Sequence, residues 1–261
     1  GHMGINPKDT VLFTFLIWTI FYLIKYLENI NSKRFKYLIL LSIMVGLGSN
    51  TRITFISLLL PIFLYGIFYV WQNTKSLKII IIDIFTLSLI TFILIIIIWP
   101  HFHNGEYGLI FENIKKSSNW LISVKHGLIN GFFYEIQNTP RSYLFQVFVG
   151  RIPIFIILLF FISYLILITK LNFFKINLDK NVFSKFLLFK IFFYWPIFIL
   201  FLSKINLYDN LRLVLFLIPI LSTISSFGLW YLIKNFISAN FYYKAILVIV
   251  LFCNILFFIR F

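Results

Sequence analysis

Stretches of apolar residues, separated by short polar connections, repeat along the whole chain. Val11–Tyr26, Ile79–Trp99, Ile152–Thr169 and Ile246–Ile259 each hold at most one charged residue. Lengths of this order approach what a helix needs to cross a hydrocarbon core of roughly 30 Å. A helix on a soluble core would show a polar face over such a length, and these show none. The pattern predicts an all-α, polytopic transmembrane helical bundle. About eight membrane segments are expected, near residues 10–26, 37–49, 53–71, 79–99, 152–169, 186–202, 211–233 and 243–260. The stretch from Tyr37 to Trp71 is too long for one span. Ser49-Asn50-Thr51-Arg52 divides it into a hairpin of two short helices, because an arginine at midspan is costly.

Between the fourth and fifth expected spans, residues 100–151 form one long extracytoplasmic loop mixing polar and aromatic side chains, with no obvious secondary structure. Its aromatic content argues against disorder and for a segment lying in the membrane interface. No repeat or low-complexity linker interrupts the chain, so residues 1–261 read as a single transmembrane domain containing this loop.

Composition sharpens the class. Apolar residues make up 61% and charged residues 12%, far from the balance of a soluble domain. The formal net charge is +15, from 23 Lys+Arg against 8 Asp+Glu. In a soluble protein that would point to nucleic acid. Here the cations flank apolar runs, where membrane topology and anionic head groups explain them, so no nucleic-acid partner is expected. More than half of the Lys+Arg lie in or beside the connections 27–36, 72–78, 170–185 and 234–242, which marks those as cytoplasmic. Both termini and the 100–151 loop then face the periplasm or its equivalent. The Ile/Phe/Lys/Asn bias, with 35 Phe, suggests an AT-rich bacterial coding sequence. For a helical membrane protein of a bacterium, the expected location is the inner (plasma) membrane. The single cysteine, Cys253, is uninformative about redox compartment.

The sequence contains no phosphate-binding Gly-rich loop, CxxC, HExxH or GxSxG. Ionisable residues instead gather near the outer ends of the expected helices. Asp9, in Asn6-Pro7-Lys8-Asp9-Thr10, reads as a helix N-cap, as an acid facing an extracytoplasmic site, or as both. In Tyr208-Asp209-Asn210-Leu211-Arg212, Arg212 opposes the helix dipole and needs an anion. Either Asp209 or a bound phosphate would serve. Arg52 has the same two readings, lipid head groups or a phosphate ligand. His101 and His103 share a face only in an extended segment, and two histidines fall short of the three or four ligands zinc requires. They remain candidates for a divalent metal or an acceptor contact. Asp83, near the cytoplasmic end of the fourth expected span, is the only acid inside one.

Taken in order, these residues resemble multi-spanning, GT-C-type glycosyltransferases related to protein O-mannosyltransferases and the lipid A aminoarabinose transferase. Bacterial members open a span with Gly-His followed by Asn-Pro-Lys-Asp, like Gly1-His2 and Asn6-Pro7-Lys8-Asp9 here. Gly1-His2-Met3 therefore reads either as native chain or as the remnant of a cleaved tag. The resemblance continues through Gly46-Leu47-Gly48-Ser49-Asn50-Thr51-Arg52, Trp99-Pro100, Asn130-Gly131 and Pro140-Arg141-Ser142-Tyr143 with Pro153. It ends in Tyr208-Asp209-Asn210-Leu211-Arg212-Leu213 with Pro219. Asn210 and Leu213 depart from the usual Gly and His, and Arg141-Ser142 replaces an aromatic pair.

The resemblance implies transfer of a sugar from a polyprenyl-phosphate donor to an acceptor on the extracytoplasmic side. It implies Asp9 as a secondary acid, Arg212, Arg52, Tyr208, Asp209 and Tyr143 as substrate contacts, and membrane lipids and the lipid-linked sugar as partners. The family's principal catalytic acid precedes the motifs present here. The chain is accordingly expected to be an N-terminally truncated, C-terminal fragment, inactive alone. A transporter or flippase of lipid-linked sugars, or a non-catalytic membrane subunit, is the alternative.

Overall fold

The computed structural model describes residues 7–52, 55–99, 103–105, 108, 112, 126–129, 132–135, 142–168, 180–202 and 216–237. Proline suits the first helical position because its fixed φ is helical and its missing N–H would have no partner there. Helix α1 accordingly starts at Pro7 and runs to Glu28. Its last carbonyls are closed by Asn29, whose side chain donates to Lys25 O at 2.8 Å and whose N–H donates to Tyr26 O at 3.2 Å. After a short turn, α2 covers Arg34–Thr51 and α3 covers Phe55–Thr74. Lys75 then adopts a left-handed φ of 52° and donates its N–H to Trp71 O, a helix-ending turn that leads into α4, Leu77–Ile98.

The expected break at Ser49-Asn50-Thr51-Arg52 falls at its last residue, since α2 runs through Ser49, Asn50 and Thr51 before it ends. The physical reason is local. Ser49 Oγ donates to Val45 O at 2.7 Å, Asn50 Nδ2 to Gly46 O at 2.9 Å and Thr51 Oγ1 to Leu47 O at 3.1 Å. Each polar group folds back onto the carbonyl four residues earlier, so it neither ends the helix nor meets lipid unsatisfied. The helix stops at Arg52, whose backbone is extended.

Three pairings set the register of α2 against α4: Arg34 with Asp83, Ser42 O with Thr91 Oγ1, and Asn50 Nδ2 with Leu94 O. The two helices therefore run parallel, and α1, which also packs along α2, runs the other way. Gly46 permits the close approach, since a Cβ there would stand 2.7 Å from Leu94 Cδ1.

Beyond α4 lie a short antiparallel hairpin, β1 His126–Ile129 with β2 Phe132–Glu135, and a nine-residue helix α5, Tyr143–Arg151. Both fall inside the loop expected to lack regular structure. Asn130-Gly131, the two residues between the strands, is a strong two-residue hairpin signal. Helices α6 (Ile154–Ile168), α7 (Lys180–Leu202) and α8 (Leu217–Ile237) follow. Ser225 Oγ donates to Ile156 O at 2.9 Å, and Gly228 lets the backbones of α6 and α8 meet. Helix α7 runs beside α1 and α3, with Lys185 on Glu28 and Trp195 Nε1 donating to Ser57 O at 3.1 Å.

Seven of the eight expected membrane segments thus fall on helices, and segment 243–260 lies outside the described residues. By length and apolar composition, three described helices suffice to cross a membrane: Thr10–Glu28, Phe55–Thr74 and Leu77–Ile98. Ile154–Ile166 and Leu217–Ile233 are shorter apolar helices. Leu16, Leu23, Leu41, Phe55 and Leu59 fill the interior, while Leu64, Phe68, Ile81, Phe85 and Ile97 point outward. Large apolar side chains on both the inside and the outside are what a lipid-immersed bundle requires. The molecule is an all-α membrane protein, and its one described hairpin does not change the class.

Candidate functional site

Chain direction sorts the first four helices into two ends. Glu28, Arg34, Thr74 and Leu77 lie at one, which carries the basic connections and is termed the basic end. Pro7, Arg52, Phe55 and Trp99 lie at the other. Of the residues singled out by sequence as chemical candidates, Asp9, Arg52 and His103 belong to this opposite end.

Asp9 is the third residue of α1. Because the helix begins at Pro7, the acid occupies the first turn rather than the cap. An acid there is still favoured by the helix dipole. Arg52 sits immediately past the last residue of α2, partly buried. Its N–H donates to Gly48 O at 3.1 Å, and its own carbonyl accepts from Phe55 N at 2.9 Å, so the turn between α2 and α3 is held from both sides. Asn50, two residues earlier, ties this corner to α4 through Leu94 O at 3.3 Å. The sequence motif contained Asn50 but did not reveal this role. Its signal is the spacing Gly46-x-x-x-Asn50, a small residue and an amide on the same helix face.

His103 lies past the end of α4, and its Nε2 is 3.1 Å from Ile96 O. The last carbonyls of a helix lack partners within it, so the ring closes one of them and is anchored over α4. No group of three or more His, Cys, Asp or Glu with metal-site geometry occurs among the described residues. Tyr143 opens α5 and is buried, and α5 packs onto α7 through the edge-on contact of Phe148 with Phe193, ring centroids 6.4 Å apart. His101, Tyr208, Asp209 and Arg212 lie outside the described residues.

The basic end holds a constellation that sequence reasoning saw only in part. Tyr26 donates to Asp83 Oδ2 at 2.6 Å, and Arg34 Nε stands 3.4 Å from Asp83 Oδ1. Asp83 was visible as an acid inside an apolar span. Arg34 read only as a topology-setting cation, yet it reaches into the bundle to meet that acid.

The described opposite end therefore combines the start of α1, an acid in its first turn, an arginine and an anchored imidazole, on a bundle with apolar outer faces. Helix N-termini and arginine side chains are groups that suit a polar, anionic ligand. Residues 2–99 match the family model described as dolichyl-phosphate-mannose-protein mannosyltransferase. The match takes in α1 to α4, with Asp9 and Arg52, and supports a relationship to GT-C-type glycosyltransferases of the mannosyltransferase kind. That family uses a lipid-linked sugar donor in a membrane setting. Comparison with curated proteins and with solved structures gives no match.

Proposed function

We propose that the chain takes part in transferring a sugar from a polyprenyl-phosphate donor to an acceptor hydroxyl or amine, at the end of the bundle that carries Asp9 and Arg52. The observation that carries this reading is the coincidence of the family match with α1 to α4, whose non-basic ends hold both residues. In the reaction, the bond between the sugar anomeric carbon and the phosphate oxygen breaks as a bond from the acceptor atom forms. A carboxylate takes the acceptor proton, and the lipid phosphate leaves with the bonding electron pair. Arg52 and the N-terminus of α1 meet the charge that develops on that phosphate, with Arg212, Tyr208, Asp209 and Tyr143 as further substrate contacts. Asp9 is an acid beside the transferred group. The basic connections are cytoplasmic, so the reaction faces the periplasmic side of a bacterial inner membrane.

Binding of a polyprenyl-phosphate-mannose to the purified chain tests this reading without requiring turnover. Arg52→Gln should weaken binding about tenfold, the scale of one hydrogen bond to a charged group. Equal affinity for the donor and for the free polyprenol, or an unaffected Arg52→Gln, would overturn it.

A further inference from the structure

The basic end carries a second polar feature that sugar transfer at the opposite end does not use. Glu28 accepts from Lys25 Nζ at 3.0 Å and from Lys185 Nζ of α7. Two ammonium groups share one carboxylate, so the cluster keeps a surplus positive charge. Beside it opens a cavity of about 300 Å³ lined at its rim by Glu28, Asn31, Ser32, Asn73 and Lys185. The two residues of the α1–α2 turn, the last turn of α3, the end of α1 and the second turn of α7 all contribute. At roughly 30 Å³ per water, the volume equals about ten waters, enough for a phosphate and its ester linkage.

The walls of this cavity are graded. The charged and amide groups stand at the rim, where the apolar spans end. One and two turns further along α3 come the phenol rings of Tyr69 and Tyr65, residues that favour the bilayer interface. Ile24, Leu27 and Leu188 supply the alkyl surface, on helices that continue into the apolar bundle. A phospholipid has the same sequence of chemistry: an anionic phosphate, polar ester groups, then an acyl chain. Exposed Lys33, next to Ser32, and exposed Lys75, just past Asn73, extend the positive rim.

We propose that this cavity binds the phosphate of an anionic phospholipid, with Lys185 as its cation, Asn31 and Asn73 as amide contacts, and the acyl chain laid along Ile24, Leu27 and Leu188. Glu28 does not oppose the anion, because its charge is already met by a lysine. It holds Lys185 at the cavity mouth. A soluble anion would leave the apolar wall exposed, and a neutral lipid would leave the surplus cation unanswered. The site lies at the opposite end from the proposed sugar transfer and stands or falls independently of it.

The 261-residue chain, purified in a neutral detergent, can be titrated with three probes while thermal unfolding is followed by tryptophan fluorescence. The probes are a short-chain phosphatidylglycerol, phosphatidylcholine of the same chain length, and inorganic phosphate. Phosphatidylglycerol is expected to raise the melting temperature by several degrees at saturation, and the other two by less than about a third as much. Asn73→Asp, on an exposed position that leaves the Glu28 cluster intact, should weaken the phosphatidylglycerol response about tenfold in midpoint concentration. Lys185→Gln should weaken it similarly, and Asn73→Asp serves alone where Lys185→Gln fails to fold. Equal stabilisation by phosphatidylcholine would overturn the phosphate recognition. Equal stabilisation by inorganic phosphate would overturn the lipid assignment, and an unchanged midpoint in Asn73→Asp would overturn the location.

Discussion

The phenol of Tyr26 donates to Asp83 Oδ2 at 2.6 Å, joining α1 to α4 across 57 positions of sequence. Arg34 meets the other carboxylate oxygen at 3.4 Å, so one acid ties three helices at the basic end. Both side chains of the ion pair are largely buried. Their value lies in mutual compensation, because each would be costly alone in an apolar bundle.

Removing one partner of this pair should therefore cost more than removing both. Asp83→Leu leaves Arg34 uncompensated and should destabilise by about 3–5 kcal/mol. Tyr26→Phe removes one hydrogen bond to a charged group and should cost about 1–3 kcal/mol. Arg34→Met combined with Asp83→Leu should be less damaging than Asp83→Leu alone. Denaturant unfolding in detergent measures all of these, and a double variant at least as unstable as the sum of the single ones would show that the residues do not act as a pair.

Glycines at two positions should respond in opposite ways to alanine. At Gly228 a Cβ would stand 2.5 Å from Leu159 O, a backbone atom of α6 that cannot swing aside. Gly228→Ala should force α6 and α8 apart at a cost of about 1–3 kcal/mol. At Gly150 nothing lies within 4 Å of the added carbon, and Gly150→Ala should be neutral or stabilising by up to about 1 kcal/mol. Melting temperatures of the two variants check both signs.

Asn50 links α2 to the end of α4, so Asn50→Leu keeps the size but loses both hydrogen bonds. A loss of about 1 kcal/mol is expected, the scale of polar contacts between membrane helices. Arg52 lies two residues on, so the same variant should also weaken donor binding by moving that corner. Stability and donor affinity measured together test the link.

The orientation proposed for the bundle makes a labelling prediction. Cysteine at Ser32 should resist an impermeant thiol reagent in intact cells, and cysteine at the exposed Asn104 should react. The reverse pattern would invert the topology.

Much of the architecture was legible because lipid imposes a blunt rule. The runs that became α1, α3 and α4 are apolar on all sides, and no soluble alternative accommodates them. What stayed hidden depends on contacts rather than on runs. Ser49, Asn50 and Thr51 have the composition of a turn, and only their bonds to carbonyls four residues earlier make them helical. Arg34 resembles every other loop cation until its distance to Asp83 is known. Asn130-Gly131 carries a readable hairpin signal in addition to its place in the family motif. Of the candidate site, Asp9 and Arg52 follow from counting spans, since alternate crossings return the chain to the same side. Their roles do not follow from counting and rest on the binding test.

The interior of α2 has a consequence for how the protein is made. The buried face of this helix includes Ser42, Gly46, Gly48 and Ser49, and α1 and α4 both pack along the helix, while Phe35 and Ile39 stay exposed. Small and hydroxyl-bearing residues give close packing there, but they give little drive to leave water. As the nascent chain emerges, α2 has α1 beside it but not yet α4. Its entry into the bilayer must therefore be coupled to that of its neighbours, with α1 and α2 going in as a hairpin and the arrival of α4 securing the pair. The order of synthesis thus becomes part of what determines the fold.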